Sequence, residues 1–273
     1  MGRYLDSILT FADNIVGAGA RDALAAASGD SLSLRWFEEG SRVHLENVWG
    51  GNNTSKMDVF IRSPLLHDNV SGMRFSHMFN PTLSGADGNP QLYLAPYWRQ
   101  PYHPTDTLIQ EVLGTAAADV TICQCVVYDT PTMPGARLAT WTEVNARLRN
   151  LVGIRVSPAP PAATSTWGTA EAINSDDDRL KANTDYALLG LLTDLPFTAV
   201  KVTGPDTGNL GIPIPGHWDS KITAQWFYEM SMRWNEPFIP VINSNNRGVT
   251  TTTLADVGGG TAPLITLQFA ELG

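Results

Sequence analysis

The chain has 273 residues, 43% of them hydrophobic and only 16% charged, and 18 basic against 27 acidic residues leave a net charge of −9. This balance argues against a basic nucleic-acid-binding face and against docking on an anionic membrane through charge, and the apolar share argues against wholesale disorder. With Gly 24, Pro 18 and Trp 8, the composition favours turns and short strands, in one large domain or two of roughly 100–150 residues.

Residues 3–16 read as an amphipathic helix. Tyr4, Leu5, Ile8, Leu9, Ala12, Ile15 and Val16 recur at helical spacing, with Asp6 and Asp13 elsewhere. Those two acids make the N-terminus a poor signal peptide, and Asp6 breaks the myristoylation pattern. No apolar run approaches the ~18–20 residues of a membrane span. Synthesis in a reducing cytoplasm fits, and the sequons at Asn52 and Asn69 then read as chance. Arg21 to Ala27 suggests a second short helix.

From about residue 31 the period changes to two. Leu32–Trp36, Val43–Val48, Met57–Ile61, Gln91–Leu94 and Val120–Val126 read as strands between Gly- and Asn-rich turns. Thr140-Trp-Thr-Glu143 has capping-box spacing, and Trp141, Val144, Leu148, Leu151 and Val152 predict a helix ending at Gly153. Residues 157–178 read as a Pro-rich and acidic linker crossing a surface. Strands return from 185. Residues 222–234 alternate apolar and polar, broken only by Phe227, and the last strand spans about Pro263–Phe269.

Three segments recur in order. Trp98-Arg-Gln-Pro-Tyr-His-Pro104 matches Trp234-Asn-Glu-Pro-Phe-Ile-Pro240, both being Trp-x-x-Pro-aromatic-x-Pro. Val59–Pro64 matches Val200–Pro205, and the Gly114 region before one strand matches the Gly258 region before another. The offsets are 136, 141 and 144 residues, which points to a duplicated unit. The expected organisation is a helical arm at 1–30, a first β unit at 31–130, a helix-and-loop connector at 131–182 and a second β unit at 183–273. Each unit has room for about eight short strands, which fits a jelly roll of two four-stranded sheets. The fold class is therefore all-β, with two tandem jelly-roll sandwiches.

Chemistry-bearing motifs are sparse. His44, His67, His77, His103 and His217 form no metal-binding pair. Cys123 and Cys125 have no second cysteine pair and read as small core residues. His67-Asp68 reads as a turn. Gly258, Gly259 and Gly260 lead into a strand, against a nucleotide loop. Asp176, Asp177 and Asp178 could feed a calcium site but lack an EF-hand pattern. The Trp-x-x-Pro-aromatic-x-Pro motif could be a sugar platform, but its repetition reads as a structural corner. No catalytic, cofactor-binding or metal-ligating residue is assigned, no cofactor is expected, and the chain reads as a non-enzyme. Low charge with many Trp, Tyr, Met and Pro suits a surface covered by neighbours.

A duplicated jelly roll behind an N-terminal amphipathic helix resembles the double jelly-roll major capsid proteins of tailless icosahedral phages with an internal membrane and of adenovirus-like shells. The resemblance rests on the repeat and covers nearly the whole chain. It implies a homotrimer whose barrels form a pseudo-hexagonal capsomer in a virion shell. It also implies contacts with neighbouring capsomers and minor capsid or penton proteins, and none with nucleic acid. The 3–16 helix would lie at the base, against an internal membrane or a neighbouring capsomer. Two alternatives make other demands. A two-jelly-roll glycan-active enzyme needs Glu, Asp and Trp in one cleft; a viral spike or receptor-binding protein needs an exposed tip with sugar-binding aromatics.

Overall fold

A computed structural model describes residues 137–273, except 163–165, 195–198, 216–223, 235–236 and 257–260, together with the backbone of nine strands between 5 and 129. In chain order these nine are β1 (Leu5–Ile15), β2 (Arg21–Ala23), β3 (Val43–Asn52), β4 (Met57–Arg62), β5 (Met73–Met78), β6 (Gln91–Leu92), β7 (Gln100–Tyr102), β8 (Ile109–Gly114) and β9 (Val120–Asp129). Then come β10 (Leu138–Ala139), helix α1 (Trp141–Arg147), β11 (Leu148–Val156), β12 (Thr166–Trp167), β13 (Glu171–Ala172), β14 (Asp185–Thr193), β15 (Ala199–Gly204) and β16 (Gly208–Pro215). Helix α2 (Trp226–Trp234), β17 (Ile239–Asn243), a 3-10 turn (Ser244–Asn246), β18 (Thr251–Asp256) and β19 (Ile265–Leu272) complete the order.

The strands form antiparallel sheets, so the described chain is mostly β with few helices. One sheet runs β1-β9-β3-β6, with β7 also on β3, and a second runs β2-β8-β4-β5. Later in the chain one sheet runs β10-β17-β14-β19-β11, and another β12-β18-β15-β16 with β13 also on β18. The two sets share more than strand order. Shifting the β1–β9 register by 143 residues reproduces that of β11–β19: Leu5–Asp129 becomes Leu148–Leu272, and Ser7–Tyr128 becomes Asn150–Glu271. Both ladders slip at the same place, between Leu5 and Ser7 and between Leu148 and Asn150. The pairs Val59–Phe75 and His44–Pro101 correspond, at offsets of 139–142 residues, to Val200–Ile214 and Asp185–Asn243.

The core of the later set follows from alternation. Val200 and Val202 on β15, Ile212 and Ile214 on β16, Ile154 and Val156 on β11, and Ile265, Leu267 and Phe269 on β19 are buried in one cluster. Each such side chain contributes about 1.5–3 kcal/mol of burial. On β14, Tyr186, Ala187, Leu188 and Leu191 are all buried, because that strand is covered on both faces. Tyr186 meets Phe269 edge-to-face at 6.2 Å, while α2 packs against β14 and β17 and α1 against β19. Helix α1 starts where the sequence places it. The Thr140 hydroxyl accepts from the Glu143 N–H at 3.2 Å, and the Glu143 carboxylate accepts from the Thr140 N–H at 2.8 Å.

Four local expectations are corrected. Residues 5–15 are strand, not an amphipathic helix, and Arg21–Ala23 is strand as well. The helix expected over 141–152 stops at Arg147, and Leu148–Val156 is a strand with Gly153 inside it. One physical cause explains the first and third errors. The register slip inserts an extra residue, so Leu5 and Ile8 sit opposite Asp129 and Val127, and Leu148 and Leu151 opposite Leu272 and Ala270. Positions three apart thus share a parity and imitate a helical spacing. Conversely, part of the alternating run at 222–234 is helix α2, with Trp226, Phe227 and Ser231 buried and Glu229 and Met232 exposed. Phe227, the break in alternation, was the helical residue in plain view.

The strand pairs also cross the expected boundaries. β1 and β2, within 1–30, pair with β9 and β8; β11, β12 and β13, within 131–182, pair with β19 and β18. The expected strand at 32–36 lies outside the described residues.

Candidate functional site

Among the described residues, a dense polar cluster sits at one end of β14. Asp185, its first residue, accepts from Arg137 Nη2 at 2.9 Å and from Asn243 Nδ2 at 2.9 Å. Asp206, in the turn between β15 and β16, accepts from Arg137 Nη1 at 3.3 Å, the Asn243 N–H at 3.0 Å and Asn246 Nδ2 at 2.6 Å. Gly204 forms this turn, its carbonyl accepting from the Thr207 N–H. A Cβ there would sit 2.6 Å from Thr250 Oγ1, so only glycine fits. Asn183, at φ 53, adds a reciprocal pair: its N–H donates to Asn245 Oδ1 and its Oδ1 accepts from Asn245 Nδ2.

The electrostatics are those of a clamp. Burial would raise the Asp185 carboxyl, but hydrogen bonds from Arg137 and Asn243 and the charges of Arg137 and Arg147 hold it below its ordinary value. The hydrogen bond to Asp185 outweighs burial and raises Arg137 above its usual range. Both carboxylates are engaged by cationic or amide donors, so the cluster ties β10, β14, β17 and the β15–β16 turn together. Sequence reasoning missed Arg137 and Asp185. Their signal was available only in Asp206, which follows the repeated Val-x-x-x-x-Pro segment; its counterpart, His67-Asp68, lies outside the described residues.

The acidic run lines an open cleft of about 410 Å³, with Gly153, Arg155, Asp176, Asp177, Arg179 and Thr266 on its walls. Asp177 accepts from Arg179 Nε at 2.9 Å, and Asp178 pairs with Arg247 Nε at 3.0 Å. Among the described residues, no three His, Cys, Asp or Glu side chains are placed to share a metal ion. Nearby, Glu171 accepts the Ser157 N–H at 2.8 Å. Its carboxyl is raised, chiefly by burial and further by Asp176, against the lowering effect of that hydrogen bond.

The second Trp-x-x-Pro-aromatic-x-Pro segment joins α2 to β17. Phe238 is 5% exposed and Pro240 is buried opposite Leu138. Phe238 therefore offers no face to a sugar. Other described aromatic rings are dispersed: Trp141 meets Tyr228 edge-to-face at 4.7 Å, and Lys201 Nζ stands 4.2 Å over the Trp167 ring. None of them lines the charged cleft.

The remaining candidates are placed by backbone alone or not at all. Cys123 and Cys125 lie two apart on β9, His44 on β3 and His77 on β5. His67, His103, His217, Trp98 and the glycines at 258–260 fall outside the described residues. Among the described residues no helix is long and apolar enough to cross a membrane. No protein-family profile matches the chain, and no curated protein matches it significantly.

Proposed function

We propose that the chain is a structural shell subunit, a major capsid protein of double jelly-roll type whose homotrimers form pseudo-hexagonal capsomers of an icosahedral virion. The observation that carries this reading is the recurrence, after about 143 residues, of one strand order and one register. In each set the first strand pairs with the last, the last with the second of the long strands, and the second sheet interleaves the remainder. This order supports the jelly-roll reading. The polar clamp is compatible with the same reading, since it fixes turns and strand ends.

In this reading, neighbouring capsomers and minor capsid or penton proteins are the partners. Residues 5–15 belong to a sheet, so they do not supply the basal helix expected there for an internal membrane.

Sedimentation and electron microscopy of the purified chain test the proposal. The expected result is a particle of three chains with a six-lobed outline. A chain that stays monomeric at high concentration would sink it.

A further inference from the structure

Within the chain, β16 packs against β1 and, more lightly, against β9. An outer strand of the later set thus lies along an outer strand of the earlier set. The recurring register makes β11 the counterpart of β1, and β5 the counterpart of β16. Among the described residues β11 and β5 do not pack on one another to a comparable extent. The chain therefore uses one member of each equivalent pair and leaves the other member unused.

The unused margin of β11 keeps the chemistry of a contact surface. Leu148 and Leu151 are 37% and 64% exposed, and they occupy the register positions that Leu5 and Ile8 occupy on β1. Apolar residues thus persist at matching positions although the described chain leaves Leu148 partly and Leu151 largely exposed. On the other margin of this sheet, β10 covers β17, so β11 is the open side.

We propose that β11 of one chain takes β5 of a second copy, repeating between molecules the β1–β16 contact made within each. Such a contact is head-to-tail and closes into a ring when its rotation divides a full turn. The inference rests on the reading that the chain assembles with itself, and it adds the surface on which assembly occurs.

The test compares wild type, Leu151→Asp and Val249→Asp by sedimentation over a concentration series. Val249 is 62% exposed and lies in the turn after the 3-10 segment, outside β11. Leu151→Asp is expected to raise the half-assembly concentration by about 10–100-fold with an unchanged thermal midpoint, and Val249→Asp to leave it unchanged. In parallel, chains carrying Leu151→Cys are mixed with chains carrying Phe75→Cys or Ser76→Cys, one for each face of β5. A cross-link between residue 151 and residue 75 or 76, read by peptide mass, is the expected product. A wild type that assembles while Leu151→Asp assembles equally well, or while cross-links avoid β5, overturns this inference alone. A wild type that never assembles overturns it together with the capsomer reading.

Discussion

Glu171 and Asp185 show how two carboxylates of the later pair of sheets respond to pH in opposite senses. The folded state raises Glu171 above its ordinary 4.5. Its protonated form is therefore favoured on folding, and that stabilisation is complete below 4.5 and lost as pH rises through the folded value. Glu171→Gln keeps an acceptor for the Ser157 N–H and removes the titration. It is expected to raise the thermal midpoint at pH 7, with the gain fading towards pH 4; equal midpoints at pH 7 would contradict the burial argument. Asp185 is held below its ordinary 3.8, so its contribution is present above that value and lost as pH falls through the lower folded one.

At the scale of elements, α1 has only 7 residues, too few to stand without its caps and packing. Thr140→Ala removes the hydroxyl that accepts from Glu143 and should cost about 1 kcal/mol in urea unfolding, with Thr140→Ser restoring most of it. This cap was readable because it depends on two residues at fixed spacing. The strands at 43–52, 57–62 and 120–129 were readable through their alternation. β1 and β11 were not, because a register slip converts period two into an apparent three. The same slip hid the best internal match, Leu5-x-x-Ile8-Leu9-x-Phe11 against Leu148-x-x-Leu151-Val152-x-Ile154. The clamp was invisible for another reason. Arg137, Asp185 and Asp206 are 48 and 69 residues apart along the chain, and only the closed sheets bring them together.

For the whole molecule, charge and apolar edges act against each other. Copies that each carry −9 repel one another, and the β11 margin offers leucine to oppose that repulsion. Salt shortens the screening length from roughly 30 Å at 0.01 M to 3 Å at 1 M. The proposed assembly should therefore become more complete between about 0.02 and 0.5 M NaCl, as read by sedimentation. Weaker assembly in salt would instead assign the contact to ionic groups such as Arg149 and Arg155. The closing pairs β1–β9 and β11–β19 also set a timetable for synthesis. In each set the strand made last is inserted between two made much earlier, β9 between β1 and β3, and β19 between β14 and β11. Until that strand leaves the ribosome, two sheet edges wait unpaired for roughly a hundred residues of translation, and long-range pairing of this kind is slow. The first set can close while the second is still being made, whereas the second must wait for Ile265–Leu272. Nascent chains halted just before residue 265 would hold one completed set of sheets and one open template for aggregation.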